Sequence, residues 1–178
     1  MEIDKNRLRQ EMRKLRNQLY EQDVFHKSQK IFNKIMFTKE ERSTFKYWFA
    51  HWCAFQMTAL NLRRWKPKYL LHDIEKPFLK LFWDYEKVQK WHRTHNSHHT
   101  EYKGQWDTYV MVIDWECSRF NKLKSQLNAY DTLKKMLANE SNFEKRLKLY
   151  QEIAPTIYNL NLCSLIEVNI LFNHVKKE

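Results

Sequence analysis

"TKEERSTFKYWFAHWCAFQMTALNLRRWKP", residues 38–67, decides the fold class. Thr38 with Glu41 three positions later is a capping-box pattern, in which a hydroxyl and a carboxylate satisfy the free backbone donors of a helix start. The run from Lys39 to Leu62 is dense in aromatic residues and predicts one helix. Trp65, Lys66 and Pro67 break it. Pro67 suits the first position of a following helix, where its missing N–H is not needed.

The rest of the chain is equally short of turn residues, with one Gly and three Pro in 178 residues. A sheet protein needs turn formers every few positions. Long stretches rich in Leu, Lys, Glu, Arg, Met and Gln favour helix instead. Hydrophobic residues make up 43%, with 11 Phe, 9 Tyr and 7 Trp, a composition that excludes a disordered chain. The length suits one domain with a real core. The expected fold is all-α, a compact single-domain helical bundle over 1–178. Residues 1–37 form a basic N-terminal helical region, 38–120 a central core and 121–178 the C-terminal helices.

Within 1–37, Ile3, Leu8, Met12, Leu15 and Leu19 recur at helical spacing, with Arg7, Arg9, Arg13, Lys14 and Arg16 on the other faces. Such a basic amphipathic helix packs on the domain by default; pairing with another subunit or lying on a polyanion are the alternatives. After Pro67 a short helix ends near Leu70, Leu71, His72 and Asp73, and Pro77 disfavours helix at Lys76. A further helix runs through Phe82, Tyr85, Val88 and Trp91 toward His95. Asn96 reads as an N-cap, which puts His98 and His99 in the first turn of a new helix. Gly104 marks a loop. Helices follow from about Asp107, near Asn128 to Asn139 and near Asn142 to Ile153. Ala154-Pro155 separates a last one, to about Val175.

Thirty-two basic less 21 acidic residues give a formal charge of +11. That balance attracts nucleotides, nucleic acid or acidic partners, a solvated basic surface being the plainer reading. Cys53, Cys117 and Cys163 are an odd number without metal-type spacing. They read as buried reduced thiols of a cytoplasmic protein. Charge from Glu2 onward argues against a secretory signal. Ile157 to Phe172 is too short and too polar to span a bilayer, so no membrane partner is expected.

Several polar residues sit where a helical core would not choose them. His51 lies in "FAHWCAF", His72-Asp73 in "YLLHDIEK" and Asp114 in "YVMVIDWECSRF". Residues 92–99 hold His92, His95, His98 and His99, four of the eight histidines. A buried ionised Asp needs a cation or a metal. Imidazole with carboxylate suits Mn, Fe, Co, Ni or Zn. A lone His or Asp in such a segment is commonly a hydrogen-bonded core residue. Their order and number make the case for a site.

The series His51, His72-Asp73, Asp114 resembles the H…HD…D order of the HD-domain superfamily of metal-dependent phosphohydrolases. "HDIEK" is similar to that superfamily's HD-x-x-K form, which brings in Lys76. "LLHDIEK", "HRTHNSHH" and "MVIDWECSRF" resemble more closely an uncharacterised family of bacteria and their phages, to which no activity is attached. The likeness covers about His51 to Arg119. It implies an HD-domain-like core that holds one or two divalent ions. His51, His72, Asp73 and Asp114 would be ligands, joined by His98 and His99, which match the closer family's pair. Asp73 would be catalytic as a ligand that also orients water, and Lys76 would offer charge to a phosphate. Arg119 could reach substrate phosphate or pair with Glu116. His92 and His95 match nothing in the family; they extend the site, bind substrate phosphate or lie on the surface. Glu116 reads as structural.

The chain departs from the superfamily in having no glycine in the HD turn, "HDIEK" standing against "HDIGK". It also carries no second signature that names a substrate. The implied function is a metal-dependent phosphohydrolase acting on a nucleotide or another phosphorylated small molecule. The alternative is a non-catalytic basic helical protein that keeps the metal site and binds nucleic acid or a host protein, as a phage-type inhibitor would. Either is compatible with an oligomer.

Overall fold

The computed structural model describes residues 45–121 and 127–176, leaving aside the side chains of Lys46, Arg119, Phe120 and Asn121. The predicted basic helix within 1–37 and the Thr38–Glu41 capping box lie outside the described residues. All described secondary structure is helical, in one bundle. It comprises α1 (Phe45–Asn61), a 3-10 turn (Pro67–Leu71), α2 (Glu75–Leu79), α3 (Tyr85–His95), α4 (Thr108–Asn121), α5 (Ala129–Asn139), α6 (Phe143–Asn159) and α7 (Leu165–Val175).

Side-chain caps fix most helix starts. Asp84 accepts from the Lys87 N–H at 2.8 Å, Asn128 from Asp131 at 2.7 Å and Asn142 from Lys145 at 3.0 Å. Ser164 and Glu167 form a reciprocal capping box on α7. Pro67 opens the 3-10 turn, as expected.

Two prolines behave differently from expectation. Pro77 lies inside α2, and Lys76 is helical before it. Both fall in the first turn, where backbone N–H groups have no intrahelical partner to lose. Pro155 lies inside α6 and does not divide it; the helix runs on to Asn159. An interior proline costs about 3 kcal/mol. Burial of Ile153, Ala154, Ile157 and Leu160, all under 5% exposed, outweighs that cost.

α4 is the axis of the molecule. It packs on α1 on one side and on α5 and α6 on the other, while α5, α6 and α7 also pack on each other. Met111 and Val112 join the apolar core of α5–α7, built on Leu133, Leu137, Ile153, Ile157 and Leu171. Ile113 and Cys117 join a second core, with Ala50, Ala54, Phe55 and Ala59 of α1 and Tyr69 of the 3-10 turn. Cys117 and Cys163 are buried, Cys53 is partly buried, and none of the three forms a disulfide with another described residue. No described helix is long and apolar enough to cross a membrane.

Candidate metal centre

The second core opens at one end onto polar residues from every element around it. α1 supplies His51 and α4 supplies Asp114. The turn between the 3-10 segment and α2 supplies His72 and Asp73, α3 supplies His92, and the loop after α3 supplies His98 and His99. His51, His72, Asp73, His92 and His98 are all under 9% exposed. Phe55 stacks on the His72 ring at 3.7 Å between centroids and fixes its plane.

Asp73 is the hinge of the arrangement. Its Oδ1 lies 3.3 Å from His92 Nε2, 3.3 Å from His98 Nε2 and 3.6 Å from His72 Nε2. Its Oδ2 lies 3.6 Å from His51 Nε2 and accepts from Lys76 Nζ at 2.5 Å. Asp114 Oδ1 completes the far side, 2.9 Å from His51 Nε2 and 3.7 Å from His72 Nε2. Near the other end, His99 Nε2 is 2.7 Å from His92 Nε2. Asp73 takes a left-handed backbone conformation, φ 58°. Outside glycine, Asp and Asn bear that conformation best, and such strain concentrates at functional sites.

The donor atoms form groups whose members lie within 4.8 Å of one another: His51, His72 and Asp73; His51, Asp114 and Cys117; His92, His98 and His99; and Asp73, Glu75 and His92. The fit to a cation can be tested on unpaired atoms. Among the described residues, His72 Nε2, Asp73 Oδ1 and His98 Nε2 are buried with no hydrogen-bond partner. An orphaned buried polar atom costs about 1–3 kcal/mol. Two imidazole nitrogens that converge on one equally unpaired carboxylate oxygen are what a shared cation relieves, and imidazole with carboxylate is a donor set for a divalent transition metal. The residues fit.

Protonation suits ligands as well. Burial acts to raise the Asp73 carboxyl, but His72 and Lys76, with His98 and His92, hold it well below the usual carboxylate range. Asp114 is likewise held well below it, against its burial, by His51 at 2.9 Å and by the nearby His72. Burial, then the charge of His98, pushes the His99 imidazole down to about 3, so it is neutral near pH 7. Burial also lowers His92, against the pull of Glu75 and Asp73.

Two members went unassigned in the sequence reading. His92 is fully buried and lies in the cluster. The signal was its helical register, because Val88 and His92, four apart, are the buried residues of α3. Glu75 occupies the position where "HDIGK" has glycine. Its Oε1 accepts from His92 Nδ1 and, at 3.0 Å, from Asn96 Nδ2. A neutral His92 that donates through Nδ1 has its Nε2 lone pair turned to Asp73, a tautomer set by its carboxylate partner.

Other expectations change. Asn96 is the C-cap of α3, not an N-cap, and no helix starts at Ser97; its amide is taken by Glu75 and the His92 carbonyl. His98 still reaches the centre, 4.9 Å from His72 between ring centroids, carried there by the loop. His95 is exposed, stacked on Trp91 at 4.4 Å, and outside the cluster. The reading of Arg119 concerns a side chain outside those described. Lys76, expected beside a substrate phosphate, is ion-paired with Asp73. Glu116 is structural: buried, it accepts from the Ala129 N–H at 3.0 Å and ties α4 to the start of α5.

No protein-family model, curated protein or solved structure matches this chain.

Proposed function

We propose that this chain is a metal-dependent phosphohydrolase of HD-domain type, acting on a nucleotide or another phosphorylated small molecule. One observation carries the reading: His51, His72, His92 and His98 lie within 3.6 Å of the two oxygens of Asp73, with Asp114 against His51 and His99 against His92. His51, His72, Asp73 and Asp114 would hold one divalent ion. His92, His98 and His99, with Asp73 between the groups, would hold a second. Such an ion, when bound, supplies an activated water and a Lewis acid for a phosphoryl oxygen.

The chain's own residues do the rest. Asp73 is ionised and can orient a water molecule through its carboxylate oxygens. Lys76 fixes Asp73 Oδ2 and brings a positive charge to the cavity beside it, where a phosphate oxygen can share it. Glu75 and Asn96 hold His92 in place. The +11 charge of the chain favours approach of an anionic substrate.

The test is turnover by protein reloaded with Mn, Fe, Co, Ni or Zn. The panel is nucleoside mono-, di- and triphosphates, cyclic nucleotides and short oligonucleotides. Hydrolysis that requires metal and Asp73 is the expected result. A metal-loaded chain that turns over none of them while binding nucleic acid or a protein tightly would transfer the site to the non-catalytic reading.

A further inference from the structure

A cavity of about 440 Å³ adjoins the centre. His51, Asp73 and Lys76 line it on the side of the centre, and Phe45, Trp48 and Tyr85 are among its other walls. We propose that it seats the organic half of the substrate, and that the substrate class is a phosphate monoester of a planar ring system, not a polyphosphate. The inference rests on the phosphohydrolase reading for the position of the phosphate.

Three features of the cavity carry it. The first is size, which lies within the range of small-molecule sites and suits one ring system with a sugar, not two nucleotides. The second is the wall. Phe45 and Trp48 lie 5.1 Å apart between ring centroids, and Tyr85 also lines the space. Aromatic side chains gain most from a flat apolar partner. The third is charge. Among the described residues, the lysines and arginines that line the cavity are Lys76 and Lys80. Lys76 is already paired with Asp73, and Lys80 Nζ lies 5.9 Å from the centre of the Tyr85 ring. Away from the centre, the other described lining residues that can donate, Tyr47, Trp48, Tyr85 and Gln89, are neutral, so each further phosphate of a di- or triphosphate would meet no further Lys or Arg among the described residues.

The experiment separates this inference from the hydrolase reading by measuring binding apart from turnover. Metal-loaded protein is titrated calorimetrically with naphthylphosphonate and methylphosphonate, which share the head group and cannot be hydrolysed. The planar compound should bind about tenfold tighter or more, and Tyr85→Ala should remove most of that preference while elemental analysis finds its metal retained. In a parallel assay, kcat/KM for naphthyl phosphate or nucleoside 5′-monophosphates should exceed that for glycerol phosphate and nucleoside triphosphates by a similar factor. The better of the two ring classes identifies the ring as a nucleobase or a simple aryl group. Equal affinity for the two phosphonates, or a triphosphate as the best substrate, overturns the inference even if hydrolysis is confirmed. A planar preference in binding with no turnover of any ester upholds the cavity's assignment and sinks the hydrolase reading.

Discussion

The two sides of α4 are filled with different matter. Toward α5–α7 it meets Leu133, Leu137, Ile153, Ile157 and Leu171, each at most 1% exposed. Toward α1–α3 it meets a smaller apolar core that ends in imidazoles and carboxylates, Asp114 among them. The first region is held by removal of apolar surface from water, at about 25 cal/mol per Å², and needs no ligand. The second buries polar atoms, His72 Nε2, Asp73 Oδ1 and His98 Nε2, that lack hydrogen-bond partners among the described residues. Its cohesion should therefore depend on what it binds, and the first region's should not.

The largest expected break in this contrast is Asp73→Ala. It removes the carboxylate that both donor groups share, and turnover should vanish. Metal at about a thousand times its Kd should stabilise the wild type by about 4 kcal/mol. The variant should show no such gain in thermal melts. An undiminished gain would mean that Asp73 is not central.

Leu133→Ala tests the other side. Leu133 is 0% exposed, and truncation should cost about 2–5 kcal/mol in urea unfolding. The cost should be the same with metal or with chelator. A cost that changes with metal would show that the two regions are not separable in this way.

Glu75→Ala sharpens the comparison within the polar region. Loss of the partner that orients His92 should weaken metal binding about 10–100-fold in competition titrations, with Leu133 and its neighbours undisturbed. Glu75→Gln keeps an acceptor and should recover part of the loss. Unchanged affinity in both variants would remove Glu75 from the site.

Mild acidification, from about pH 7.5 to 5.5, should have the smallest effect. His99 is held neutral down to about 3 in the folded chain, while unfolded imidazole takes a proton near 6.5. The unfolded state therefore binds more protons from about 6.5 downward, and stability falls with pH through that window. Asp73 and Asp114, held well below the usual range, extend the loss below about pH 3.8. Amides of α1–α3 should lose hydrogen-exchange protection before those of α5–α7. Simultaneous loss would contradict the contrast.

The all-helical fold was legible because one glycine in 178 residues leaves little room for hairpin turns. The helix starts at Asn128 and Asn142 were legible too, because their side chains do the capping. Pro77 and Pro155 misled because local propensity says nothing of first-turn position or of burial around a proline. Within the centre, His51, His72, Asp73, His98 and Asp114 stood out as polar residues in apolar or histidine-rich segments. His92 was hidden by its three neighbouring histidines, which only the register of α3 separates. Glu75 carried no local signal, since its partners His92 and Asn96 are 17 and 21 residues away. Asn96 shows the limit of a cap reading: an amide at a helix boundary serves either end, and here Glu75 decides which.

The central claim is that the histidine and carboxylate cluster holds metal, and elemental analysis of protein purified without chelator tests it most directly. The account predicts at least one divalent transition ion per chain in the wild type, and none retained after Asp73→Ala. Wild-type protein that is metal-free and takes up none of Mn, Fe, Co, Ni or Zn would contradict it.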